Sequence, residues 1–158
     1  MKPKLYLETT IPSYLTSRPS RDLIIAGHQQ ITKEWWSHRK DKFDIYISQF
    51  VIDEARAGDA EAARDRLIAI KNFPLLDITP EVGDLATHIL ASGIIPQKAG
   101  TDAVHIAIAS VHQMQFLMTW NCVHIANAIF ARRIERICRD YGHEIPVICT
   151  PEELLGEN

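Results

Sequence analysis

Short apolar runs alternate along this chain with longer stretches in which apolar residues return every three or four positions, the pattern of strands separated by helices. Strands are predicted at 4–7, 44–47, 75–78, 116–119 and 146–149. The segment 9–19 holds Pro12 and Pro19 and reads as a loop or short helical turn; Ser20 then caps a helix over about 21–39, with Ile24, Ile31 and Trp35 on one face. Ser48 is the expected N-cap of a short helix that carries Glu54 and stops at Gly58, and Asp59 that of the next, with Ala63, Leu67 and Ile70 as its apolar stripe. Thr79-Pro80-Glu81 supplies a cap, a first-turn proline and an acid at the positive end of the helix dipole, so a helix runs from there to Gly93. Residues 103–111 are apolar on nearly every side, which predicts a buried helix with Asp102 in its first turn. The last long helix is predicted over about 124–141, burying Ala126, Phe130, Ile134, Ile137 and Tyr141 before Gly142, and Thr150-Pro151-Glu152-Glu153 has the capping-box pattern.

Strands that alternate with helices usually pair in parallel through right-handed crossovers. The fold class expected is therefore α/β, a three-layer α/β/α sandwich with a mainly parallel central sheet. Neither repeat nor linker interrupts it, and 158 residues suffice for one domain, 1–158, with a core that needs no disulfide or metal staple. Adjacent Trp35 and Trp36 cannot both face that core, so one is expected against a partner.

Composition changes this picture little. A formal charge of −3 argues against a general nucleic-acid coat while leaving room for a local basic patch. Cys122, Cys138 and Cys149 lack CxxC spacing and sit in apolar stretches, so buried free thiols in a reducing compartment are expected. With no apolar run long enough to span a bilayer and none resembling a signal peptide, a soluble cytoplasmic protein is expected, without membrane association.

Chemistry enters with the acids. In a parallel α/β sheet, residues beyond the carboxyl ends of the strands share one crevice. Glu8 follows the first strand, Glu54 lies on the helix after the second, and Asp102 opens the buried helix. Carboxylates gathered there repel one another unless a cation intervenes, and an oxygen ligand set suits Mg²⁺ or Mn²⁺. Such an ion supports in-line displacement at a phosphodiester. Asp102, His105 and His112 along one helix stripe also admit a zinc reading, for which no further His/Cys pair is evident.

The ordered markers Tyr6-Leu7-Glu8-Thr9-Thr10, Ser48-x-x-Val51-x-x-Glu54, Asp102-Ala103-Val104-His105-Ile106-Ala107 and Thr119-x-Asn121 resemble those of the PIN-domain family, in particular VapC-type toxins of toxin-antitoxin systems. The resemblance runs over nearly the whole chain. It implies a metal-dependent endoribonuclease, with RNA as substrate, an antitoxin protein as partner and a homodimer as the assembly. It places Glu8, Glu54 and Asp102 on the metal, and Asn121 where it orients a water or the scissile phosphate. It makes Thr9 and Thr119 hydroxyls that hold a carboxylate or water, with His105 beside them. Arg18, Arg21 and Lys98 should flank the crevice and contact substrate. Glu8 and Asn121 stand where many members have Asp, and the alternative reading is a module that binds RNA or protein without cleavage.

Overall fold

The computed structural model describes residues 1–156. It is an α/β chain whose five strands form one all-parallel sheet: β1 (Lys4–Leu7), β2 (Asp44–Ser48), β3 (Leu75–Leu76), β4 (Phe116–Met118) and β5 (Val147–Cys149), in the order β3-β2-β1-β4-β5. Leu5, Tyr6 and Leu7 of the central strand have no exposed surface, as expected of a strand covered on both faces.

The helices are α1 (Thr10–Thr16), α2 (Leu23–His38), α3 (Gln49–Ala55), α4 (Ala60–Ile70), α5 (Pro80–Ala91), α6 (Gly100–Val111) and α7 (Ala128–Asp140). The right-handed crossover rule puts α1–α4 on one face and α5–α7 on the other, because the strand order runs outward from β1 in one direction and then in the other. Packing agrees: α1 lies against α2 and α4, α3 against α4, and α5 against α6 and α7. This is a three-layer sandwich. Its strand order reverses between β1 and β4, and the crevice of such a sheet opens beyond their carboxyl ends.

Several local expectations need correction. Asp22, not Ser20, caps α2, accepting from the amides of Ile24 and Ile25 at 2.9 and 3.0 Å. Ile24 is 71% exposed: it shares Trp35's side of the helix but lies 11 residues away, about 16 Å along the axis and beyond the packed core. Trp35 is buried, and Trp36 is partly covered, edge-on to Phe73 with the Lys40 ammonium over its ring, and keeps some exposed surface. Helix α7 begins at Ala128 under an Asn127 cap, because Asn121 first turns the chain with its carbonyl and side-chain oxygens. That turn leaves Cys122 exposed, whereas Cys138 and Cys149 are buried, and burial pushes the Cys149 thiol up to about 12. Tyr141 is exposed and stacks on His88. Among the described residues, no helix is long and apolar enough to cross a membrane.

Candidate metal centre

The polypeptide brings four segments to the crevice. Glu8 extends the β1–β4 ladder by one hydrogen bond, its amide donating to the Met118 carbonyl at 3.1 Å, and so is held at the end of the central strand. The residue is 3% exposed. Oxygen Oε1 accepts three hydrogen bonds: from the Thr10 amide (3.1 Å), the Thr10 hydroxyl (2.5 Å) and the Thr119 hydroxyl (2.6 Å). Thr10 is itself fixed by the Trp120 amide, which donates to its Oγ1 at 2.8 Å. Oε2 receives no hydrogen bond from the described residues.

Glu54 comes from α3, after β2. Its Oε1 accepts from the Thr9 hydroxyl at 2.8 Å and from His105 Nε2 at 2.5 Å, and its Oε2 likewise has no donor among the described residues. His105 projects from α6 and is wholly buried. Its other nitrogen, Nδ1, lies 2.6 Å from the Tyr6 hydroxyl, which lies 2.8 Å from Ser48 Oγ. Ligand atoms of Glu8, Glu54 and His105 fall within 4.8 Å of one another.

The electrostatics follow from this arrangement. Burial drives the Glu8 carboxyl above its ordinary value; neighbouring His105 and the Thr10 and Thr119 donors act against that shift without cancelling it. Burial acts in the same direction on Glu54, but there the hydrogen bond of His105, with that of the Thr9 hydroxyl, prevails and holds the carboxyl below the usual range. Glu54, not Glu8, is thus the acid that His105 bonds. The Tyr6 phenol is pushed up by burial first and then by the charges of Glu8 and Glu54, so it stays neutral.

Of the residues predicted for the site, Glu8, Glu54, Thr9, Thr119 and His105 are brought together. Asp102 stands outside the cluster, its Oδ2 taken by His124 Nδ1 at 2.8 Å. Asp102 and His105 lie on the same face of α6 one turn apart, and it is the contact with His124 that occupies the Asp102 carboxylate while His105 reaches Glu54. Asn121 uses its side-chain oxygen to accept from the His124 amide, and its own amide donates to Thr119 Oγ1. Arg18 and Arg21 lie exposed between α1 and α2, and Lys98 lies exposed in the turn before α6; among the described residues, no ion pair or hydrogen bond joins them to the cluster. His112 donates to or accepts from nothing in the cluster; its Nε2 faces the Asp77 carbonyl at 2.7 Å. Asp53, exposed, accepts from Gln49 and points away.

Thr10 and Tyr6 were missed as site residues. Thr10 had a visible signal, a second hydroxyl beside Glu8; Tyr6 had none, because a tyrosine in an apolar strand reads as core.

The donor set fits a divalent cation. Two carboxylates each have one oxygen saturated by protein donors and the other left without a protein donor, beside an imidazole nitrogen. Oxygen-preferring Mg²⁺ would use the carboxylates and leave His105 bonded to Glu54, whereas Mn²⁺ also accepts the nitrogen. No family model matches the chain, and no curated protein matches it.

Proposed function

We propose that this protein is a Mg²⁺- or Mn²⁺-dependent endoribonuclease. The observation that carries the reading is the buried Glu8, whose Oε2 has no donor among the described residues and which lies in a cluster with Glu54 and His105. A cation bound there would stabilise charge on a phosphodiester and activate a water. The chain's own residues prepare the place: Thr10 and Thr119 orient Glu8, Thr9 and His105 orient Glu54, and Asn121 braces Thr119. The choice of RNA rests on the resemblance of the marker order to PIN-domain toxins. On the same ground the partners are an antitoxin protein and a second copy of this chain, and the location is the cytoplasm.

The test is hydrolysis of RNA, DNA and small phosphodiesters by the purified full-length chain with Mg²⁺, Mn²⁺ or chelator. RNA cleavage that requires the ion and is lost in Glu54→Gln is expected. Absence of ion-dependent hydrolysis, together with absence of ion-induced thermal stabilisation, would overturn the reading.

One observation favours a second reading. Asp102 is engaged by His124 and does not join the cluster, which leaves fewer anionic ligands for the ion. A module that binds RNA or protein without cutting it would show cation binding and RNA retention without turnover.

A further inference from the structure

Ser48 occupies the N-cap position of α3, yet its side chain makes no capping bond to that helix. A serine cap is worth about 1 kcal/mol to a helix. Here the buried hydroxyl faces the Tyr6 phenol instead, and the phenol faces His105 Nδ1. Ser48, Tyr6, His105 and Glu54 therefore form one line of contacts at 2.8, 2.6 and 2.5 Å, in which Ser48, Tyr6 and His105 are wholly buried.

A neutral His105 has two arrangements of hydrogens along this line: the first fits the contacts as they stand, and the second requires the ring and Glu54 to separate from 2.5 Å so that an ion can enter between them. In the first, Nε2–H donates to the Glu54 carboxylate, Nδ1 accepts from the Tyr6 hydroxyl, and the phenol oxygen accepts from Ser48. In the second, Nδ1–H donates to the phenol oxygen, the phenol donates to Ser48, and Nε2 presents a lone pair toward the two glutamates. A lone pair facing two carboxylates is repulsive unless a cation lies between them, so the first set belongs to the metal-free protein. Nδ1 is engaged in either set, because the Tyr6 hydroxyl both donates and accepts. One proton leaves Nε2 and one arrives at Nδ1, so no net charge changes.

On the reading that this cluster binds a divalent cation, we propose that Tyr6 and Ser48 form a reversible seat for His105. The imidazole is then a donor that holds Glu54 when the ion prefers oxygen, and a ligand through Nε2 when the ion accepts nitrogen. Tyr6 is a positioning residue in this account, and it sets which ions the site takes. An apolar residue at that position would leave Nδ1–H buried without an acceptor in the second state, which disfavours nitrogen-accepting ions selectively.

The experiment uses the full-length chain labelled with ¹⁵N-histidine, with Mg²⁺ and Zn²⁺ as diamagnetic probes. Long-range ¹H–¹⁵N spectra should show His105 with the proton on Nε2 when metal-free and with Mg²⁺, and on Nδ1 with Zn²⁺. In Tyr6→Phe, calorimetry should find Zn²⁺ affinity reduced by about 10- to 100-fold, the range for loss of a partner behind a metal-ligating histidine, with Mg²⁺ affinity close to wild type. If Tyr6→Phe does not fold, Ser48→Ala keeps the phenol and should change the Zn²⁺/Mg²⁺ ratio in the same direction by less. A proton that stays on Nε2 with Zn²⁺ bound, or equal losses for both ions, overturns the proposal while leaving the metal site standing. A wild-type chain that binds neither ion overturns both.

Discussion

Replacing Glu8 by glutamine isolates the charge at the centre of the site. The amide oxygen of the variant can accept the same three hydrogen bonds, from the Thr10 amide and from the Thr10 and Thr119 hydroxyls, while the NH₂ takes the place of Oε2. Glu8→Gln therefore removes a buried charge while the Thr10 and Thr119 donors keep their acceptor. For the wild type, saturation of the cluster at 100 times the dissociation constant stabilises the fold by about 2.7 kcal/mol. In a domain of this size each kcal/mol moves Tm by about 2–4 °C, so Mn²⁺ should raise the wild-type midpoint by about 5–11 °C. The variant should show almost none of that rise, and its metal-free midpoint at pH 8 should equal or exceed that of the wild type, since an acid disfavoured as an anion has been neutralised. Glu8→Ala serves as contrast: it leaves buried donors without an acceptor, at about 1–3 kcal/mol each, and should lower the metal-free midpoint. Differential scanning fluorimetry with and without Mn²⁺ reads all three proteins. A Glu8→Gln variant that keeps most of the Mn²⁺ shift would place the ion elsewhere and refute the reasoning.

The same contacts set three further outcomes. Because the folded-state pKa of Glu8 is raised, the native chain holds more protons than the unfolded one between the ordinary carboxylate range and that raised value, so metal-free stability should fall as pH climbs through this window. Glu54, lowered, contributes the opposite: stability present above the ordinary carboxylate range and lost as pH falls through its folded value. Urea midpoints at a series of pH values check both slopes, and Glu8→Gln should abolish the first. Thr119→Val removes the donor to Glu8 and the acceptor of the Asn121 amide, and should cost about 1–3 kcal/mol by urea denaturation, with weaker Mn²⁺ binding by calorimetry. Asp102→Asn, a change outside the cluster, should leave Mn²⁺ affinity unchanged in the same titration, whereas a large loss would show that Asp102 leaves His124 for the ion.

The framework was legible because the local signals agreed with one another. Thr79-Pro80 starts α5 with the threonine hydroxyl accepting from the Val82 amide, Asp59 caps α4, and the apolar run 103–111 is the buried α6. The failures are also local. Ser20 and Asp22 are both capping residues two positions apart, and only the geometry of the turn decides that the carboxylate takes the helix amides while Ser20 accepts from the Asp22 amide. Asn121 and Asn127 bracket a turn inside what periodicity alone extends as helix, because the apolar residues 125 and 126 continue the helical rhythm through it.

The site was half legible for a different reason. Chain topology gathers the residues just beyond β1, β2 and β4, so Glu8, Glu54 and Thr119 could be grouped from their places in the pattern. Which atom of each residue faces the crevice is set by hydrogen bonds between segments far apart in sequence, and these leave no periodic trace. Thr9 and Ser48 make the point together. Both stand at helix N-caps, where their residue types read as caps, yet neither side chain caps its helix: one donates to Glu54 and the other engages Tyr6. Two caps left unmade at one crevice are a local cost that the helices themselves do not explain, and sites that break local rules are where function concentrates. The same competition displaced Asp102. An acid in the first turn of α6 is favoured by the helix dipole wherever it points, so its position alone could not say that His124, rather than a shared cation, would claim its carboxylate.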